Sequence, residues 1–311
     1  MAYIYIACLI LILVLMYRNI LPYFFLRMFT YNLLKKNKMN VFSVNVDDVK
    51  WSYIRGGKGQ AMVLVHGFGS HKFQWGNDMY SFSKNYDLIC VDLPGSGDSQ
   101  LSGSFEVNPK KQAERLINLL ESLEVNNIIL IGASVGGYIS SYVYLLRPDL
   151  INKIILLDSA GFRADKIQPA MSNFIETGAH PFSYSTSKEM DYLYSLLFFK
   201  PPMIPYFLKS YLIRKNKKEL VRRDESLRQL RAFGLFNLTE QLPCFRDNTL
   251  LIWGSEDQLF DLSTLNKFSN LRVTKVVIDG CGHLPYLEKP QHTNSAIDNF
   301  LLSNTQKALA S

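Results

Sequence analysis

The sequence predicts an α/β protein: a doubly wound, mostly parallel sheet, with a helical insertion late in the sheet and an apolar N-terminal segment ahead of it. Three observations predict it. Short continuous apolar runs alternate with helical stretches from residue 61 to residue 157, the pattern of buried parallel strands covered on both faces. That alternation stops over residues 162–246 and resumes at Thr249. Between the apolar run 127–131 and the next helical stretch lies Gly132-Ala133-Ser134-Val135-Gly136, a serine between glycines at a strand-to-helix turn.

Residues 1–17, MAYIYIACLILILVLMY, carry no charge. As a helix they rise about 25 Å, a little short of a ~30 Å hydrocarbon core. Residues 20–29 extend them with Pro22, Tyr23, Phe24, Phe25 and Phe29. A cleaved signal peptide wants a basic start and a small-x-small cleavage site, and neither is present. Residues 1–30 therefore read as a signal anchor, with a helix lying on the membrane surface as the alternative. Arg18, Arg27, Lys35, Lys36 and Lys38 come next with no acid before Asp47, which predicts a single-pass chain whose remainder is cytoplasmic.

Residues 41–46 and 51–55 alternate apolar and polar, as an antiparallel pair does, and Gly56-Gly57-Lys58-Gly59 makes the turn after them. Residues 61–65 form a central strand that ends in His66-Gly67-Phe68-Gly69. His66 reads as a structural histidine, and His71 and Trp75 are expected to line or support the mouth of a pocket. The strand at 86–92 leads into Leu93-Pro94-Gly95-Ser96-Gly97-Asp98-Ser99, whose glycine spacing is not that of a phosphate-binding loop. Pro109 opens a helix with Leu116, Leu119, Leu120 and Leu123 on one stripe. In the helix after Ser134, Gly137, Ser140 and Ser141 are small enough for close packing on the sheet. Residues 153–157 are the next strand, ending at Asp158.

The expected organisation is a core of 41–160 and 247–303, with 161–246 as a helical cap. The cap holds ten bases against three acids between residues 200 and 231, an excess that equals the net charge of +7 of the whole chain. That reads as a solvated face or as a surface for anionic headgroups. No nucleic-acid motif accompanies the charge, so no nucleic-acid partner is expected. Cys8, Cys90, Cys244 and Cys281 have no C-x-x-C spacing, which argues against a disulfide framework and a thiolate metal site. Neither a metal nor a cofactor is called for.

Ligands of a doubly wound sheet sit at the carboxyl ends of its strands. Ser134, Asp257 and His283 all fall there, in the order serine, acid, histidine. A serine hydroxyl is a poor nucleophile until a histidine takes its proton, and the histidine needs a carboxylate to fix its tautomer. Asp158 competes with Asp257 for the acid. Glu256 is disfavoured because its longer side chain reaches solvent. His180 and His292 read as surface or cap residues. The backbone N–H groups of Phe68 and Val135 would form an oxyanion hole.

HGFGSHKFQW, GASVGG, LLDSAGF, FFKPPMIP, WGSEDQ and GCGHLPYLEKP together resemble the α/β-hydrolase superfamily. Within it they are similar to membrane-anchored monoacylglycerol lipases and cold-adapted bacterial triacylglycerol lipases. The resemblance implies an α/β-hydrolase fold and hydrolysis of a lipid ester through an acyl-enzyme on Ser134, with Phe162, Phe198, Phe199 and Leu284 as pocket candidates. Val135 stands where methionine is usual. Two other readings remain: carbon–carbon bond hydrolysis by the same triad, and a non-catalytic membrane-bound module.

Overall fold

The computed structural model describes residue 5 and residues 16–309. A π-helical turn, Met16–Ile20, runs into α1 (Leu21–Lys36). The first strands are β1 (Asn40–Val46), β2 (Val49–Gly56), β3 (Ala61–Val65), β4 (Asp87–Val91) and β5 (Gln100–Leu101). Then come α2 (Pro109–Ser122), β6 (Ile128–Ala133), α3 (Val135–Leu146) and β7 (Ile151–Leu157). Three α-helices lie between β7 and β8 (Thr249–Gly254): α4 (Pro169–Thr177), α5 (Ser187–Leu197) and α6 (Tyr206–Phe233). β9 (Thr274–Ile278), α7 (Pro285–Glu288) and α8 (Pro290–Leu309) complete the chain.

The nine strands among the described residues form one sheet in the order β1-β2-β4-β3-β6-β7-β8-β9, with β5 paired to β2. β1 and β2 are antiparallel, and all pairs from β4 to β9 are parallel. Period-2 alternation divides the central strands between two cores. Val63, Val65, Leu130 and Trp253 face one layer, and Met62, Leu64, Ile131 and Ile252 face the other. Burying each such side chain contributes about 1.5–3 kcal/mol. This two-sided burial is why these strands read as continuous apolar runs rather than alternating ones. β5 was not expected; two residues are too few for any periodicity to show.

Local signals set the helix ends. Asn108 accepts from Lys111 N at 2.9 Å ahead of Pro109 in α2. Thr186 and Glu189 form a reciprocal capping box on α5.

No helix among the described residues is long and apolar enough to cross a membrane. The apolar run of the expected anchor lies mostly outside the described residues. Beyond that run, α1 leaves Tyr23, Phe24, Phe25 and Phe29 exposed. The rings of Tyr17 and Phe25 approach Phe207 of α6, with centroids 6.0 and 6.2 Å away.

Candidate active site

Ser134 sits between β6 and α3 with φ 56° and ψ −124°, a conformation that costs free energy for a residue with a side chain. Its neighbours hold it there. Ser134 N donates to Leu157 O at 2.9 Å, and Ala160 N donates to Ser134 O at 3.1 Å. The flanking glycines are demanded sterically. A Cβ on Gly136 would lie 2.1 Å from Val65 O, and one on Gly132 would lie 2.5 Å from Gly136 O.

Asp257 and His283 come from the loops after β8 and β9, and both are almost fully buried. His283 Nδ1 lies 2.8 Å from Asp257 Oδ2. Asp257 Oδ1 accepts from Leu259 N at 2.7 Å and Phe260 N at 3.0 Å, so the carboxylate is fixed from both ends. His283 Nε2 is buried without a hydrogen-bond partner, Ser134 Oγ included. Such bonds are often long before substrate arrives and tighten in the complex. The ring of Phe260 joins the two parts: it lies 5.6 Å from the His283 ring and lines the cavity that holds Ser134.

That cavity is narrow and apolar. Phe68, Val135, Ala160, Leu259 and Phe260 line it from just after β3, β6, β7 and β8. Met171, Phe174, His180, Phe182, Leu230 and Leu235 close it from the segment between β7 and β8. Val135 is the first residue of α3, so its N–H belongs to the unpaired donors of a helix start. Phe68 lines the same cavity, and its N–H finds no acceptor among the described residues.

His66 makes two backbone bonds. It accepts from Leu93 N through Nε2 at 3.0 Å, which leaves Nδ1 to donate to Gly67 O at 2.8 Å. Burial pushes its pKa down, so it stays neutral. It ties the loop holding Phe68 to the loop after β4.

A family model for the alpha/beta hydrolase fold matches residues 60–290, well over half of the chain. The chain belongs to this family. It is 26% identical over 281 residues to the mouse monoacylglycerol lipase ABHD6, covering 85% of this chain and 83% of that protein. It is 25% identical over 238 residues to Lipase 1 of Psychrobacter immobilis, covering 76% and 74%. Among solved structures, a bacterial membrane phospholipase A superposes with a TM-score of 0.84 at 26% identity, covering 96% of this chain and 98% of that one. These relatives support a hydrolase enzyme whose family includes lipid-ester hydrolases.

Several expected neighbours of the site in this α/β hydrolase lie elsewhere. Phe162 is not at the cavity; it is buried in an aromatic cluster with Phe245 and Phe268. Leu284 packs against the opposite core layer. Phe198 stacks on Tyr194, and Phe199 is largely exposed. Their segment instead braces the histidine loop through its backbone. His283 N donates to Leu197 O at 2.9 Å, and Glu288 accepts from Phe199 N, Lys200 N and Gly282 N. A Cβ on Gly282 would lie 2.7 Å from Phe199 N, so this contact requires glycine. Trp75 does not line a pocket mouth; it is fully buried against Tyr286. His71 borders a polar cleft beside the Phe68 loop. His180, expected on the surface or in the cap, is in the segment between β7 and β8 but lines the cavity, packed against Phe174 and Phe182. Glu256 and His292 are exposed.

One group that the sequence did not reveal carries weight, and the competing acid Asp158 lies at the site without taking the acid's place. Lys72 is buried and pairs with Asp92 and Asp98 at 2.6 Å each, which pins the loop after β3 to the loop after β4. Asp158 lies beside Asp257: one donor atom each from Asp158, Asp257 and His283 falls within 4.8 Å of the others. Of the two acids it is Asp257 that meets the histidine. Asp257 Oδ2 and His283 Nδ1 bind each other and Asp257 Oδ1 is held by two N–H groups, so this trio leaves two free donors, Asp158 Oδ2 and His283 Nε2, fewer than the three or four protein ligands of a zinc site. Cys90, Cys244 and Cys281 are free thiols.

Proposed function

We propose that this protein is a membrane-associated serine hydrolase of lipid esters, acting through an acyl-enzyme on Ser134. The observation that carries the reading is Ser134 in its strained turn on the wall of an apolar cavity, beside the unclaimed N–H groups of Phe68 and Val135. Ser134 Oγ attacks the ester carbonyl carbon while its proton passes to His283 Nε2. The oxyanion forms between the two N–H groups, each worth roughly 2.7–4 kcal/mol in the transition state. Collapse breaks the ester bond, and the alcohol leaves with the proton from His283. Water then attacks the acyl carbon with His283 as base, and collapse breaks the bond to Ser134 Oγ, which takes the proton back from His283 as the carboxylic acid leaves. Asp257 holds Nδ1–H and stabilises the imidazolium.

The apolar wall suits an acyl chain. Segment 161–246 is the cap, and substrate enters when it shifts. The relatives named for monoacylglycerol, lipase and phospholipase A activities support a lipid ester over a carbon–carbon bond. The uncharged run of residues 1–17, the bases after it and the exposed aromatics of α1 support a tether that leaves the enzyme on the cytoplasmic face.

The test is turnover of acylglycerols and phospholipids of graded chain length by the wild type and Ser134→Ala, alongside labelling with a fluorophosphonate. Ser134→Ala is expected to lose kcat by roughly 10⁶-fold and all labelling. Ester cleavage by Ser134→Ala at the wild-type rate removes Ser134 from the chemistry and sinks the reading. Sedimentation with anionic vesicles tests the tether: binding by the wild type, weakened by Phe24→Glu and Phe29→Glu, is the expected result.

A further inference from the structure

Asp158 takes no part in that mechanism, yet it is fully buried next to it, one residue past β7 and with φ 44°. Its Oδ1 accepts from Gly254 N at 2.9 Å, while its Oδ2 is buried with no hydrogen-bond partner. The groups that face it are Asp257 and His283, within 4.8 Å, and the Cys281 thiol and Tyr286 hydroxyl. The last two stay neutral, because burial and the nearby acid push both of them up.

Two carboxyl groups this close and this dry cannot both ionise. Asp257 is the better home for the charge, since it accepts two backbone N–H bonds and meets His283. Asp158 has a single N–H. Burial first, and then the charge on Asp257, hold the Asp158 carboxyl well above the usual carboxylate range.

Resting on the hydrolase reading, we propose that Asp158 is a positioning residue whose O–H turns toward Asp257 and leaves one negative charge, not two, behind His283. The donated bond draws charge from Asp257 and so limits how tightly that carboxylate holds a proton on the imidazole. Nε2 thereby stays available as the base. An ionised Asp158 would do the reverse and favour the imidazolium.

The experiment is the pH dependence of kcat/KM on a soluble ester for Asp158→Asn and Asp158→Ala, with melting curves on the same samples. Asparagine accepts from Gly254, donates to Asp257 and never ionises. It is expected to stay within about threefold of wild type at neutral pH, with the acidic limb in place. Alanine removes the donor, and its acidic limb is expected to move up by about half a pH unit or more. An alanine profile that overlays the wild type overturns the proposal, as does an asparagine loss as large as that of alanine. If the alanine variant does not fold, the Nδ1 proton resonance of His283 in Asp158→Asn decides: an unchanged position supports the proposal and a displaced one overturns it. That resonance is read without turnover. A wild-type protein that cleaves no ester would sink the hydrolase reading and still leave Asp158 testable.

Discussion

His283 and Asp257, 26 residues apart in sequence, meet through an Nδ1–Oδ2 contact of 2.8 Å in a site closed to solvent. The contact fixes more than a distance. Both carboxylate oxygens of Asp257 are acceptors here, so the carboxylate demands that Nδ1 carry the hydrogen and Nε2 the lone pair. Asp257→Asn keeps the shape and presents an N–H to Nδ1 instead, which stabilises the wrong tautomer. Loss of kcat by about 10⁴-fold with little change in KM is expected from steady-state kinetics. Equal kcat in the two proteins would mean that another group orients the histidine.

Lys72 gives a second prediction. Its ammonium lies between Asp92 and Asp98, and Asp92 also accepts from Lys72 N and Asp98 N. Lys72→Met strands Asp92 as a buried charge and is expected to cost about 3–5 kcal/mol. Asp98 is mostly exposed, so Asp98→Asn is expected to cost about 1 kcal/mol or less. Urea unfolding midpoints of the two variants make the comparison; equal losses would contradict it.

These cases show where sequence stops being informative. β3 and β8 were legible because a strand buried on both faces is a nearly continuous apolar run. Ser134, Asp257 and His283 were legible as a set because each comes after a strand, and a parallel sheet gathers the ends of its strands at one edge. The cavity wall was not legible. Met171, Phe174, His180 and Leu230 sit on or beside helices whose placement over the sheet depends on tertiary packing, and no spacing encodes that. The aromatic FFK stretch at 198–200 stands out through its side chains, whereas its contribution comes from backbone groups bonded to Glu288. Lys72 was hidden because a lysine in a glycine-rich loop reads as solvated until its two acids are seen beside it.

Gly136 ties the elbow to β3. An added Cβ would lie 2.1 Å from Val65 O and 2.4 Å from His66 O, both backbone atoms that cannot step aside cheaply. Gly136→Ala is expected to destabilise by roughly 3 kcal/mol, at the upper end of overpacking costs. It should also lower kcat, because any retreat of residues 65–66 carries the Phe68 N–H with it. Gly103→Ala is the control: the nearest atom is 3.9 Å away, and a change within about 0.5 kcal/mol is expected. Thermal melting and ester turnover of both variants decide; a Gly136→Ala protein that melts like Gly103→Ala contradicts the steric argument.

His180 makes the fold acid-sensitive. It sits among Phe68, Phe174 and Phe182, and burial lowers its pKa from 6.5 to about 3, with the charge of Arg223 adding to the effect. A histidine depressed in the folded state binds its proton more readily when unfolded. Its contribution to stability is therefore complete above pH 6.5 and is lost as pH falls through that value toward 3. The slope reaches at most about 1.4 kcal/mol per pH unit. His71, lowered to about 4 mainly by burial, acts in the same direction over a narrower window. His180→Phe keeps the aromatic packing and removes the proton site. Urea midpoints at pH 7 and pH 5 are expected to fall for the wild type and to fall distinctly less for His180→Phe. A variant as acid-sensitive as the wild type would show that His180 already reaches water in the folded protein.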